Sequence, residues 1–115
     1  MDNIPLSRPL ILDGATGSEL LKRGMPAGVC TEQWVLDRPG VLLGLQREYV
    51  AAGADIILAP TFCANAIKLE EYGLADKVEE YNHRLVALAK EAADGKAWVA
   101  GDMAPTGKFI QPFGE

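Results

Sequence analysis

The chain alternates short, wholly apolar runs with longer stretches in which apolar residues recur every third or fourth position. Leu10-Ile11-Leu12 lies between Pro9 and Gly14, Ile56-Ile57-Leu58 between Gly53 and Pro60, and Trp98-Val99-Ala100 between Gly95 and Gly101. Such brief apolar runs, bounded by Pro and Gly, fit strands buried on both faces better than helices. Strands are therefore predicted at 9–13, 54–60 and 97–101. A short helix is predicted over 16–23, with Thr16 as N-cap, Glu19 placed for a capping box and Gly24 as the stop. Residues 25–37, which carry Trp34, read as a loop.

Pro39 suits the first turn of the next helix, where its missing N–H costs nothing. Leu42, Leu45, Tyr49 and Ala52 form one stripe of that helix, Gln46, Arg47 and Glu48 lie away from it, and Gly53 closes it. A helix over 65–72 ends at Gly73. A longer one over 75–93 turns Val78, Tyr81, Leu85, Leu88 and Ala92 inward and Lys77, Glu79, Glu80, Arg84, Lys90 and Glu91 outward. Residues 102–115 read as loop.

The predicted order is β-α-α-β-α-α-β. Apolar strands separated by amphipathic helices belong to a parallel sheet with right-handed crossovers. Three such strands leave two open edges, and a closed (β/α)₈ barrel takes roughly 250 residues where this chain has 115. The expected fold is α/β: the first three βα units of a (β/α)₈ TIM barrel, parallel and incomplete in this chain, over residues 1–115. Ile11, Ile57 and Val99 are expected to face the barrel interior without partners. An uncovered apolar face with free edges predicts self-association.

Composition narrows the function. Hydrophobic residues make up 49% and charged residues 23%, which excludes a disordered tail, a fibre or a disulfide-stapled mini-protein. A net charge of −5 lacks the basic footprint of nucleic-acid binding and would be repelled by an anionic membrane surface. No apolar run approaches the ~20 residues of a membrane span, and Met1 to Pro5 shows no signal-peptide pattern. Two distant cysteines, Cys30 and Cys63, suit a reducing, cytoplasmic compartment.

Most chemistry-bearing residues read as structural. His83 falls on the polar side of the long helix, a solvated surface position. Ser7 and Ser18 are the only serines, too little for Ser-His-Asp chemistry. Cys63 reads first as a small buried hydrophobe, and no C-x-x-C pair is present. The informative cluster is Asp13-Gly14-Ala15-Thr16-Gly17, a carboxylate at the carboxyl end of a strand followed by small residues and a helix start. A carboxylate beside exposed backbone N–H groups suits a zwitterion such as the α-amino-acid end of a small ligand. A tight turn with Asp13 capping the helix accounts for the same residues equally well. The cluster has neither the Walker nor the G-x-G-x-x-G spacing of phosphate loops. Thr61-Phe62 and residues 102–106 follow the other two strands at the same end of the sheet, the end that carries barrel active sites.

Leu12-Asp13-Gly14-Ala15-Thr16-Gly17-Ser18-Glu19-Leu20 resembles the opening D-G-A-M-G-T-x-L of the homocysteine S-methyltransferase domain, found in cobalamin-dependent methionine synthase and betaine–homocysteine methyltransferase. Thr16 and Ser18 stand where Met and Thr are commoner. The resemblance continues from Gln46 through Ile57, then through Pro60-Thr61-Phe62, Lys68-Leu69, Tyr72-Gly73-Leu74 and Val99-Ala100-Gly101 to Pro105-Thr106-Gly107. It implies methyl transfer to the thiol of homocysteine, forming methionine, from methylcobalamin, a folate-fed cobalamin or a betaine-like donor. It implies zinc in the full-length enzyme, held by cysteines of late strands that this chain lacks; Cys30 and Cys63 are not expected to replace them. It further implies that Asp13 holds the homocysteine ammonium, that amides near Gly14, Ala15 and Thr16 receive its carboxylate, and that Thr61 and Phe62 line the pocket. A corrinoid protein or domain is an implied partner. The 115 residues alone are expected to be inactive. A noncatalytic binding or assembly module completed by self-association is the alternative.

Overall fold

The computed structural model describes residues 3–114; Met1 and Asp2 of the N-terminal reading and Glu115 of the expected terminal loop lie outside them. Helices α1 (Gly17–Lys22), α2 (Thr31–Asp37) and α3 (Pro39–Ala51) precede strand β1 (Ile56–Leu58). Helix α4 (Ala66–Glu70), a 3₁₀ turn at Ala75–Lys77, helix α5 (Val78–Ala93) and strand β2 (Trp98–Ala100) follow. The strands pair in parallel, with Ile56 opposite Trp98, Ile57 opposite Val99 and Leu58 opposite Ala100. No described helix is long and apolar enough to cross a membrane.

The expected first strand is reduced to one parallel bridge, Leu12 to Ile56, so the sheet has two strands rather than three. Its ladder is brief because side chains take over at both ends. Asp13 N–H donates to the Ile56 carbonyl at 3.0 Å and Ile56 N–H to the Ile11 carbonyl at 3.2 Å. Below them Ile11 N–H donates to the Asp55 carboxylate at 2.9 Å; above them Leu58 N–H donates to the Asp13 carboxylate at 3.0 Å. Pro9 has no N–H with which to extend the pairing. Arg8 grips Asp55 with both guanidinium nitrogens, at 3.1 and 2.9 Å, and fixes this segment to the start of β1.

The alternation of the sheet corrects one expectation. Ile57 is wholly buried, with Ala89, Ala92 and the partly buried Val99, under α5. Ile57 and Val99 therefore face the helices. Period 2 puts Ile56 and Leu58 on the open side, with their register partners Trp98 and Ala100 and with Leu12, which is 55% exposed.

Residues 31–37, expected as loop, form α2. Trp34, Val35 and Leu36 are all buried there, with Leu42 and Leu45 of α3 and Tyr81 and Leu85 of α5. A two-turn helix enclosed on several sides shows a contiguous apolar run rather than a stripe, and so carries no helical period. The Arg38 guanidinium lies 5.1 Å from the centre of the Trp34 ring. The capping box at α1 does not form: Thr16 makes no side-chain cap bond, and Glu19 pairs with Lys22 instead. Asn65 does cap α4, accepting from Lys68 N–H at 2.9 Å.

Candidate functional site

At the carboxyl end of the strands lies a cleft of about 450 Å³, within the usual size range of small-ligand sites. Gly14, Thr16 and Gly17 form one wall and the start of α2, from Cys30 to Glu32, another. Leu58 to Pro60 form its floor, with Phe62 and Cys63 above them; Lys68, Tyr72 and Asp102 complete it.

Gly14 and Thr16 thus line the cleft, as does Phe62, which is exposed. Asp13, Ala15 and Thr61 adjoin these lining residues in sequence without lining the cleft themselves. Asp13 reaches across to the Leu58 amide, so the carboxylate joins the first segment to the end of β1. Burial pushes the Asp13 carboxyl up from the ordinary aspartate value, its bond from Leu58 N–H opposes this, and the nearby Asp102 charge adds to the rise. The Ala15 carbonyl accepts from the Tyr49 hydroxyl at 2.7 Å. Tyr49 also explains Gly14: a Cβ there would sit 2.8 Å from its hydroxyl oxygen and 2.9 Å from a ring carbon. Thr61 is buried; its hydroxyl donates to the Asp102 carbonyl and accepts from Asp102 N–H, both at 2.9 Å. Thr61, expected to line the pocket, is instead buried beside it and bears on the cleft by holding Asp102.

Glu32, which lines the cleft, and Gln46, which holds the lining residue Leu58, were not singled out from sequence as site residues. Glu32 is buried at 4% exposure; its carboxylate accepts from Cys63 N–H at 3.1 Å and from the Cys30 thiol at 3.6 Å. Gln46, placed by the stripe on the polar side of α3, is 1% exposed and donates to the Leu58 carbonyl at 2.9 Å. Leu58 thus has its N–H held by Asp13 and its carbonyl by Gln46. The signal for Gln46 was its i+4 spacing from Leu42, on the same side of the helix; polarity hid it. Burial raises both thiols, Cys30 and Cys63, above the ordinary cysteine value, with the Glu32 charge adding to each. His83 is exposed on α5, away from the cleft. No group of three His, Cys, Asp or Glu side chains among the described residues could hold a metal ion. The zinc implied by the sequence resemblance is therefore not assigned to these residues.

The cleft's charged groups, one lysine against several carboxylates, favour a small ligand bearing a positive end. Comparison with known proteins gives this site its setting. A family profile described as homocysteine S-methyltransferase matches residues 10–114. The chain belongs to that family. Methionine synthase of Mycobacterium leprae (strain TN) is 33% identical over 116 residues, covering 89% of this chain and 10% of that protein. Betaine–homocysteine S-methyltransferase 1 of Bos taurus is 33% identical over 107 residues, covering 88% of this chain and 26% of that protein. The chain spans only these fractions of the relatives it matches. The crystal structure of the homocysteine methyltransferase MmuM from Escherichia coli, metallated form, superposes with a TM-score of 0.71 at 22% identity, over 86% of this chain and 39% of that one. That likeness establishes the fold as the one homocysteine methyltransferases use.

Proposed function

We propose that this chain supplies the amino-acid recognition part of a homocysteine S-methyltransferase, built as the first three βα units of a (β/α)₈ barrel. The observation that carries this reading is the placement of Asp13. A partly buried carboxylate whose burial opposes its charge directly precedes the 14–17 turn that lines the cleft, and a cationic ligand group is what would stabilise it. In this reading Asp13 holds the ammonium of homocysteine, amides of Gly14, Ala15 and Thr16 receive its carboxylate, Phe62 covers the aliphatic part, and Thr61 acts through Asp102. Zinc, when bound by other residues of a complete enzyme, would lower the pKa of the substrate thiol. The residues here bind and orient the amino acid so that its thiol reaches a methyl carrier, whether methylcobalamin on a corrinoid protein or domain, or a betaine-like donor.

Calorimetric titration with L-homocysteine tests this, with 3-mercaptopropionate as the control thiol that lacks an amine. Saturable binding of homocysteine alone is expected. No binding, or equal binding of both thiols, would exclude the reading. A second reading, a noncatalytic module completed by self-association, is favoured by the exposed apolar residues Ile11 and Leu12 on the segment beside β1.

A further inference from the structure

We propose that Glu32 is a positioning residue that sets the Phe62–Cys63 wall of the cleft. The inference rests on reading the cleft as the homocysteine site. Glu32 stands in the first turn of α2, where the helix dipole favours a negative charge. From there the carboxylate crosses to the loop after β1 and takes the Cys63 amide at 3.1 Å, while its other oxygen takes the Cys30 thiol at 3.6 Å. Among the described residues no cation pairs with it: every ion pair in the fold joins other residues. Burying a carboxylate is costly unless its bonds are made, so Glu32 is held in place by the loop as firmly as it holds the loop.

That bond fixes the backbone immediately after Phe62. Phe62 is exposed at the cleft, so where it sits depends on the backbone on either side of it. On one side Thr61 is fastened to Asp102; on the other Cys63 is fastened to Glu32. The loop is pinned on both sides of Phe62, one of the two aromatics that line the ligand space, with Tyr72. Glu32 lines the cleft, but no role in holding the substrate is assigned to it. It acts through the Cys63 amide.

Three substitutions separate a tether from a charge and from a packing role. Glu32→Gln keeps an oxygen for the Cys63 amide and removes the charge; Glu32→Asp keeps the charge and withdraws it by one methylene. Glu32→Met fills the same space without an acceptor. Amide hydrogen exchange is followed at Cys63 and, for reference, at Leu85 in the middle of α5. We expect Cys63 exchange to quicken about tenfold or more in the Asp and Met variants, as the loss of one charge-assisted hydrogen bond predicts, with Leu85 unchanged and the Gln variant near wild type. L-Homocysteine binding should weaken in the same two variants and be retained by Gln. Unchanged Cys63 exchange in both Asp and Met variants would overturn the proposal. So would equal acceleration at Leu85, the mark of general loosening, or loss in Gln with retention in Asp, the mark of charge alone. Failure of the wild-type chain to bind homocysteine would count against the functional reading, and the exchange data would still decide whether Glu32 sets the loop.

Discussion

Two aspartates that tie the first segment to β1 carry opposite pH signatures. Asp55 is held below the ordinary aspartate value by its bonds from Arg8 and from Ile11 N–H. Its contribution to stability is present above the unfolded value, about 3.9, and is lost as pH falls through the lower folded value. Arg8→Ala should therefore lower Tm at pH 7, with the difference shrinking below about pH 4. Asp13 is raised instead, chiefly by burial, so its charge works against folding at neutral pH and the penalty lifts as pH falls through the raised value. Asp13→Asn keeps an oxygen for the Leu58 amide and removes that penalty. We expect it to melt no lower than wild type at pH 7, while homocysteine binding weakens by about 1.5–3 kcal/mol, the worth of a charge-assisted bond. A large fall in Tm would make Asp13 a structural residue and nothing more. At Glu32, removing the charge removes one influence that holds both cleft thiols up. Glu32→Gln should quicken alkylation of Cys30 and Cys63 by iodoacetamide at a fixed pH near 8; equal rates would show that burial alone governs them. The 13–17 turn and Phe62 were legible in the sequence because they form a contiguous motif or follow a strand. Glu32 was not, since its meaning lies in a bond to a residue 31 positions away.

At the scale of elements, the strands β1 and β2 and the helices α3 and α5 follow from apolar runs and stripes, and α1 and α4 from their Gly stops. What escaped was decided by tertiary contact. Helix α2 is enclosed, so its apolar residues run together. The first strand is cut to a bridge because Asp13 and Asp55 occupy the ladder positions. Gln46 is buried because the Leu58 carbonyl needs a donor on that side. This last point makes a prediction about how α3 grips β1. Gln46→Leu removes the donor and leaves the Leu58 carbonyl buried, which should cost about 1–3 kcal/mol of unfolding free energy. It also removes the buried Gln46 Oε1, which has no partner among the described residues. The expected loss therefore falls at the lower end of that range. Urea unfolding of the two proteins checks it; a Leu variant more stable than wild type would show that the side-chain bond contributes nothing net.

For the whole molecule the decisive feature is that one side of the sheet is packed and the other is open. Helix α5 covers Ile57 and Val99, while Ile11 and Leu12 lie exposed on the segment beside β1. Within the described residues β2 has a strand neighbour on one edge only. The stretch after β2 adds Met103, Phe109, Ile110 and Phe113, all largely exposed. Apolar area of this kind and a free parallel edge both favour association, each Å² of apolar surface removed from water being worth about 25 cal/mol. The chain's net charge of −5 opposes this, and more strongly at low salt. Purified 115-residue chain should therefore associate with rising concentration, and more so with added salt, when followed by light scattering between low and high micromolar concentrations. Leu12→Glu places a charge on the open side without touching the helix-covered core, and should shift the population toward monomer. Near-UV CD of Trp34 and Trp98 reports whether the packed side stays folded meanwhile. A monodisperse monomer at all concentrations, with a single cooperative melt, would mean that the open side is stable in water as it stands, and the case for self-association would fall with it.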